Sequence, residues 1–96
     1  MINYEFDTTP DLEINIAIHL ANVRYYAERK QARNTYRETI TTCKCLSEYC
    51  KYQLRIGKTI DYIIERLTNK TKYLVQILND NNMYDTVKKY YEINRG

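Results

Sequence analysis

The first apolar segment, DLEINIAIHLANV at residues 11–23, alternates apolar and polar side chains as a β-strand does. The residues just before it are typical of a helix start, because Thr9 can cap a helix and Pro10 suits the first helical turn. We therefore predict a helix over residues 10–33. The alternative is a hairpin within residues 2–20, but a two-stranded ribbon is marginally stable alone and no third strand is predicted.

On a helix, the apolar residues of this segment form two stripes on opposite sides. The first stripe contains Leu12, Ile16, Leu20, Val23 and Ala27. The second stripe contains Ile14, Ile18, Ala21 and Tyr25. One stripe can face the core of the chain, so the second must lie centrally in a bundle or contact another molecule. We predict the second stripe as a partner interface.

A second helix is predicted over residues 36–56, where Asn34 ends the first helix and Thr35 forms a capping box with Glu38. The alternative is that the two helices are continuous, because no Gly or Pro separates them. Gly57 is expected to end the second helix. Its predicted apolar stripe contains Tyr36, Ile40, Cys43, Ser47, Cys50 and Leu54.

Two further helices are predicted over residues 60–79 and 82–93, separated by the sequence NDNN. The third helix is strongly amphipathic, with an apolar face of Ile60, Ile63, Ile64, Leu67, Leu74, Val75 and Leu78. The fourth has a short stripe of Met83, Val87 and Tyr90. The first six or so residues are expected to be extended.

The length and composition favour a single all-α domain. The chain has 96 residues with 2 Gly and 1 Pro, too few turn-forming residues for a sheet of many strands. Short connections between four helices favour a small antiparallel bundle. Because a chain of this length buries a limited core and carries a second apolar stripe, a homo-oligomer such as a homodimer is expected.

The charge of the chain is polarised. Residues 1–28 have a net charge of −4, residues 29–58 of +6 and residues 59–96 of +1. On the second helix, Arg37, Lys44, Lys51 and Arg55 lie within about 40° of arc, and Arg33 joins them if the helices are continuous. We call these five residues the basic row. Such a row extends over about 25–35 Å and can follow a phosphate backbone.

Three interpretations of the basic row remain open: it binds nucleic acid, it binds an acidic protein, or its side chains cover the edge of an apolar stripe with their charges in water. Tyr49 and Tyr52 lie away from the row, so a platform for stacking single-stranded bases is not predicted. No known nucleic-acid-binding motif is present.

No catalytic, metal or cofactor site is predicted. Cys43, Cys45 and Cys50 do not share one helix face, and their spacing differs from that of zinc sites, so we interpret them as structural. His19 is the only histidine, and no Ser, Asp or Cys lies at helical spacing to activate it. No small-molecule substrate is indicated, and an enzyme is not expected.

The chain has an odd number of cysteines, and neither a signal peptide nor a membrane-spanning segment is recognised in it. We therefore expect a cytoplasmic protein that does not enter membranes, in the host cytoplasm if it is viral. Asn, Ile, Lys and Tyr make up 39 of 96 residues and have A/T-rich codons, which suggests an AT-rich genome, viral or otherwise mobile. The expected function is a small non-enzymatic protein that binds nucleic acid through the basic row. The alternative is an inhibitor, immunity-type protein or assembly subunit that docks through the second stripe.

Overall fold

The structure, a computed structural model, describes residues 8–95 and the side chains of residues 11–95. Four helices form the fold: α1 (Thr8–Glu28), α2 (Ala32–Arg55), α3 (Ile60–Asp80) and α4 (Tyr84–Arg95). No strand occurs within residues 8–95, so the all-α prediction is confirmed. The hairpin alternative is wrong from residue 8 onward. The predicted extension of the first six or so residues lies outside the described part of the chain.

Side chains from all four helices form the buried core, and α1 and α2 are the two helices in the most extensive contact. The first stripe of α1 provides one side of the core, as predicted. Ile16, Leu20, Val23 and Ala27 are buried, and Leu12 is partly buried against them. In α1 the apparent strand alternation therefore comes from two opposite faces of one helix.

The three turns between the helices share one backbone arrangement. One residue in each turn has a positive φ: 58° at Lys30, 86° at Gly57 and 56° at Asn82. The N–H of the following residue donates to the carbonyl five positions earlier, in the pairs Gln31 to Tyr26 at 3.0 Å, Lys58 to Gln53 at 3.1 Å and Met83 to Leu78 at 2.8 Å. This is the Schellman motif, which satisfies carbonyls that a helix end leaves without a partner.

The boundary between α1 and α2 was predicted wrongly. The first helix ends at Glu28 rather than residue 33, and α2 begins at Ala32 rather than residue 36, so the continuous helix is wrong as well. Thr35 lies inside α2, where its hydroxyl donates to the carbonyl of Gln31 at 2.8 Å instead of capping the helix. The positive-φ position of this turn holds Lys30, whereas sequence signals for a helix end depend on Gly or Asn.

The buried face of α2 also differs from the predicted stripe, by about 100° of rotation. The buried residues are Thr35, Thr39, Thr42, Leu46, Tyr49, Tyr52 and Gln53. Of the predicted stripe, Cys43, Ser47 and Leu54 are exposed and Tyr36, Ile40 and Cys50 are half-buried. The three threonines are tolerated in the core because each hydroxyl donates to the carbonyl four residues earlier, at 2.8 Å, leaving its methyl group to pack.

The apolar face of α3 is only partly used within the chain. Ile63, Leu74 and Leu78 are buried together with Ile77, while Ile60 and Ile64 remain 58% and 55% exposed. Met83 and Val87 attach α4 to the same core. Within the described residues, no helix combines the length and apolar character needed to cross a membrane.

Candidate nucleic-acid interface

The basic row lies on one exposed face of α2. Because α2 is continuous from Ala32 to Arg55, Arg33 belongs to it even though α1 and α2 are separate helices. All five residues of the row are exposed: Arg33, Arg37, Lys44, Lys51 and Arg55. They lie opposite the buried threonine face and extend over about 33 Å at 1.5 Å per residue.

Within the described residues, no carboxylate forms an ion pair with the basic row. Glu48 shares the exposed face by its spacing, but none of the ion pairs of the structure includes it. The other acid of α2, Glu38, accepts hydrogen bonds from Asn22 at 3.2 Å and pairs with His19 Nδ1 at 2.8 Å. The charges of the row are therefore not neutralised by ion pairs within the described residues.

Glu13, one of the three acidic residues of α1, faces α3. Glu13 Oε1 accepts a hydrogen bond from Arg66 at 2.8 Å, and Lys70 Nζ lies 4.0 Å away. The buried Tyr49 joins this cluster, since its hydroxyl donates to Glu13 Oε2 at 3.3 Å and accepts from Arg66 Nε at 3.3 Å. Burial raises the pKa of Tyr49, and its hydrogen bond with Arg66 partly opposes that shift. Sequence spacing could not reveal this cluster, because its members come from three helices.

At the N-terminal end of the row, α4 adds aromatic side chains that the sequence analysis missed. Tyr90 stacks on Tyr36 with ring centroids 5.7 Å apart and an interplanar angle of 26°. These two rings line a cavity of about 370 Å³ with Arg33, Arg37 and Asn94. No stacking platform is predicted from the spacing of Tyr49 and Tyr52, whereas Tyr36 and Tyr90 lie beside Arg33 and Arg37 in the structure. At the other end of the row, the Arg55 guanidinium lies 5.8 Å from the ring centre of Tyr52.

The second stripe of α1 is not used by the core. Ile14 is 56% exposed, Ile18 and Tyr25 are each 50% exposed, and Ala21 is also exposed. The stripe lies opposite the buried first stripe of the same helix. The guanidinium of Arg29 covers one face of the Tyr25 ring at 3.6 Å, so that ring is the most constrained of the four side chains.

The cysteines and the histidine do not form a common site. Cys43 borders an apolar groove of about 480 Å³ between α2, α3 and α4, and burial raises the pKa of its thiol. Burial also raises the pKa of Cys45, with the carboxylates of Glu38 and Glu48 adding to the shift. Low-pKa, reactive thiols need the opposite environment. Within the described residues, no three His, Cys, Asp or Glu side chains are grouped so that they could hold a metal ion.

Comparison of the chain with known protein families, with characterised proteins and with solved structures finds no match in any of the three.

Proposed function

We propose that the protein is a non-enzymatic helical protein, encoded by a virus, a mobile element or an AT-rich genome, that binds nucleic acid through the basic row of α2. The observation that carries this proposal is a line of five exposed cations with no carboxylate partner within the described residues. Glu48 lies on the same exposed face by its spacing, yet no ion pair joins it to the row. By contrast, Glu13 of α1 pairs with Arg66 of α3.

The affinity of such a row depends on salt, because each lysine or arginine that neutralises a phosphate releases a condensed counterion. If all five cations contact phosphates, the logarithm of the association constant falls with the logarithm of salt concentration with a slope of about −4.5 on duplex DNA. The slope is about −3.5 on a single strand. An interface dominated by apolar contacts would show little dependence on salt.

The test is a fluorescence anisotropy titration of a labelled DNA duplex at low and moderate salt. Saturable binding that weakens with salt is expected for the wild type. The double variant Arg37→Glu/Lys51→Glu is expected to lose most of this binding, because it reverses two charges of the row. The matched control is Lys72→Glu/Lys89→Glu, which reverses two exposed charges on α3 and α4 and is expected to bind much as the wild type does.

Equal losses in the two double variants would mean that net charge alone attracts the DNA, and the basic row would not be the interface. No binding at low salt to duplex or single strand would overturn the proposal. Two interpretations of the row would then remain: an acidic protein partner, or charges that are only solvated.

A second candidate function is favoured by the exposure of Ile14 and Ile18. Ile14, Ile18 and Ala21 are uncharged, so a second copy of the chain can cover this part of the stripe without charge complementarity, while the Arg29 guanidinium lies on the Tyr25 ring at its end. Ala21, near its middle, allows close approach of another helix. We propose an antiparallel bundle that forms a homodimer through this stripe, with an inhibitor or assembly partner as the alternative occupant.

A further inference from the structure

The cavity at the N-terminal end of the basic row combines three kinds of group that bind nucleotides. Arg33 and Arg37 lie one helical turn apart on α2, and Tyr36, which lies between them in the sequence, forms a stacked pair with Tyr90 of α4. Asn94 completes the lining from the last turn of α4. The volume of about 370 Å³ lies within the range of sites that take small organic groups.

The two guanidinium groups are available for a ligand. No hydrogen bond, ion pair or ring contact engages either side chain within the described residues. Arginine presents its N–H groups as a planar fork that matches two oxygens of a phosphate. Two such forks one turn apart, beside aromatic rings, suit a phosphate that carries an attached base.

The tyrosine pair supplies the surface on which a base can stack. Both tyrosines are half-buried and both line the cavity. Asn94 donates its amide N–H to the carbonyl of Tyr90 at 2.7 Å, which fixes the side chain and leaves its Oδ1 as an acceptor. A base N–H group could be recognised there.

We infer that this cavity holds one unpaired nucleotide of a single strand, with its phosphate between Arg33 and Arg37 and its base against Tyr36 and Tyr90. The inference rests on the proposed function, because the rest of the strand continues along the basic row. A base within a duplex is excluded, since both its faces are already covered by neighbouring base pairs. The site therefore gives the protein a preference for single strands, or for duplex ends and bulges, that the cations alone do not provide.

The experiment compares two labelled strands of equal length and charge, an oligothymidylate and a strand of the same number of abasic residues. Cations that contact only the backbone would bind both strands equally. Stacking of one base in the cavity is expected to make the wild type bind the oligothymidylate about tenfold more tightly at moderate salt. The ratio of the two affinities is measured on the wild type alone. A ratio near one therefore overturns the inference whether or not the variants fold.

The variant Tyr90→Leu assigns the preference to the cavity. Leucine keeps an apolar side chain against α2 but removes the aromatic face, so the ratio between the two strands is expected to fall towards one. Tyr91→Leu is the matched control, because Tyr91 is the next residue of α4, is 46% exposed and does not line this cavity. Circular dichroism of each variant shows whether the helices are retained.

The outcomes separate the two proposals. Failure of both strands to bind at low salt overturns this inference, and the proposed function falls with it only if the DNA duplex also fails to bind. Equal binding of both strands leaves the backbone interaction standing and overturns the nucleotide site. The assignment to this cavity is also overturned if folded Tyr90→Leu keeps the tenfold ratio. It is overturned as well if Tyr91→Leu loses the ratio to the same extent as Tyr90→Leu.

Discussion

At the scale of single residues, the buried Tyr49 connects all three of the longer helices. Its ring belongs to the core, and its hydroxyl lies between the Glu13 carboxylate of α1 and the Arg66 guanidinium of α3. The hydrogen bonds satisfy a hydroxyl that would otherwise be costly to bury. They also place an ionisable group in a setting that disfavours its charged form.

Stability at alkaline pH is expected to depend on this tyrosine. The pKa of Tyr49 is raised in the folded protein above its usual value of about 10. Its contribution to stability is therefore complete below about pH 10 and is lost as the pH rises through the folded value, because only the unfolded chain ionises easily. Tyr49→Phe is expected to show a smaller alkaline loss in the free energy of unfolding than the wild type, as measured by urea unfolding between neutral pH and pH above 10.

The exposed Tyr84 provides the control for this measurement, since Tyr84→Phe should leave the alkaline loss unchanged. At neutral pH, Tyr49→Phe is expected to cost about 1 kcal/mol or less, because the Glu13–Arg66 ion pair remains after the hydroxyl is removed. An alkaline loss identical in wild type and Tyr49→Phe would show that Tyr49 titrates as an ordinary tyrosine.

Threonine explains most of what the sequence failed to predict about α2. A threonine is counted as polar in a helical pattern, so the face with Thr35, Thr39 and Thr42 was not recognised as the core side. The hydroxyl partner is the carbonyl of the same helix four residues earlier, which makes the side chain internally satisfied. The predicted stripe of α2, about 100° away around the helix, contains cysteines and an isoleucine and gives a stronger apolar pattern. The fold leaves most of that face exposed or half-buried.

Thr42 is fully buried and tests this explanation. Thr42→Val keeps the branched shape and removes the hydroxyl. The carbonyl of Glu38, which accepts from that hydroxyl, also accepts a backbone N–H of the helix and stays satisfied. The free energy of unfolding is therefore expected to change by less than about 1 kcal/mol. Thr42→Ala removes two heavy atoms from the core and is expected to cost about 1–2 kcal/mol. Chemical denaturation of both variants measures the difference. A larger loss for valine than for alanine would mean that the hydroxyl, rather than the packing, is what the core requires.

At the scale of elements, the helix ends show which boundaries a sequence can predict. The ends of α2 and α3 were predicted close to their observed positions, because Gly57 and the NDNN segment supply residues that adopt positive φ readily. The end of α1 has Lys30 in the same conformation. Its ammonium group donates to the carbonyl of Asn81 in the turn between α3 and α4, a tertiary contact that no local pattern contains.

Gly57 allows this turn geometry to be tested separately from packing. A Cβ atom at this position would meet no atom within 4 Å, so the cost of a substitution comes from the backbone alone. Gly57→Ala is expected to lower the free energy of unfolding by about 1 kcal/mol, because alanine is strained at a φ of 86°. Gly57→Asn is expected to cost less, since asparagine tolerates this region better. Equal stability of all three proteins in thermal unfolding would show that the turn can relax to another conformation.

At the scale of the whole molecule, the fold class followed from composition and periodicity, whereas the candidate site depended on tertiary structure. Arg37, Lys44, Lys51 and Arg55 were predicted to share one face from their spacing on one helix, and they do so. Arg33 was predicted to join them only if α1 and α2 were continuous; it lies on the same face because α2 begins earlier than predicted, at Ala32. The cavity beside Arg33 and Arg37 required Tyr90 and Asn94 from α4, more than 50 residues away along the chain. Only the packing of α4 on α2 brings these groups together.

The second stripe of α1 predicts the oligomeric state. Sedimentation equilibrium is expected to give a dimer for the wild type and a monomer for Ile14→Gln/Ile18→Gln, with unchanged helical content because both side chains lie outside the core. The matched control is Ile60→Gln/Ile64→Gln, which changes two equally exposed isoleucines on α3 and should leave the dimer intact. A monomeric wild type would leave the second stripe for a different protein.

The positions of the second stripe and the basic row bear on how many nucleic-acid strands a dimer of the proposed kind would contact. Each lies opposite the buried face of its own helix, and the two buried faces pack on each other, so the stripe and the row point away from each other. A dimer joined through α1 therefore carries its two rows on its two outer sides. If the rows bind DNA as proposed, such a dimer would cross-link separate strands instead of enclosing one. Mixing it with long DNA would then produce loops and condensates whose growth stops when protein is in excess.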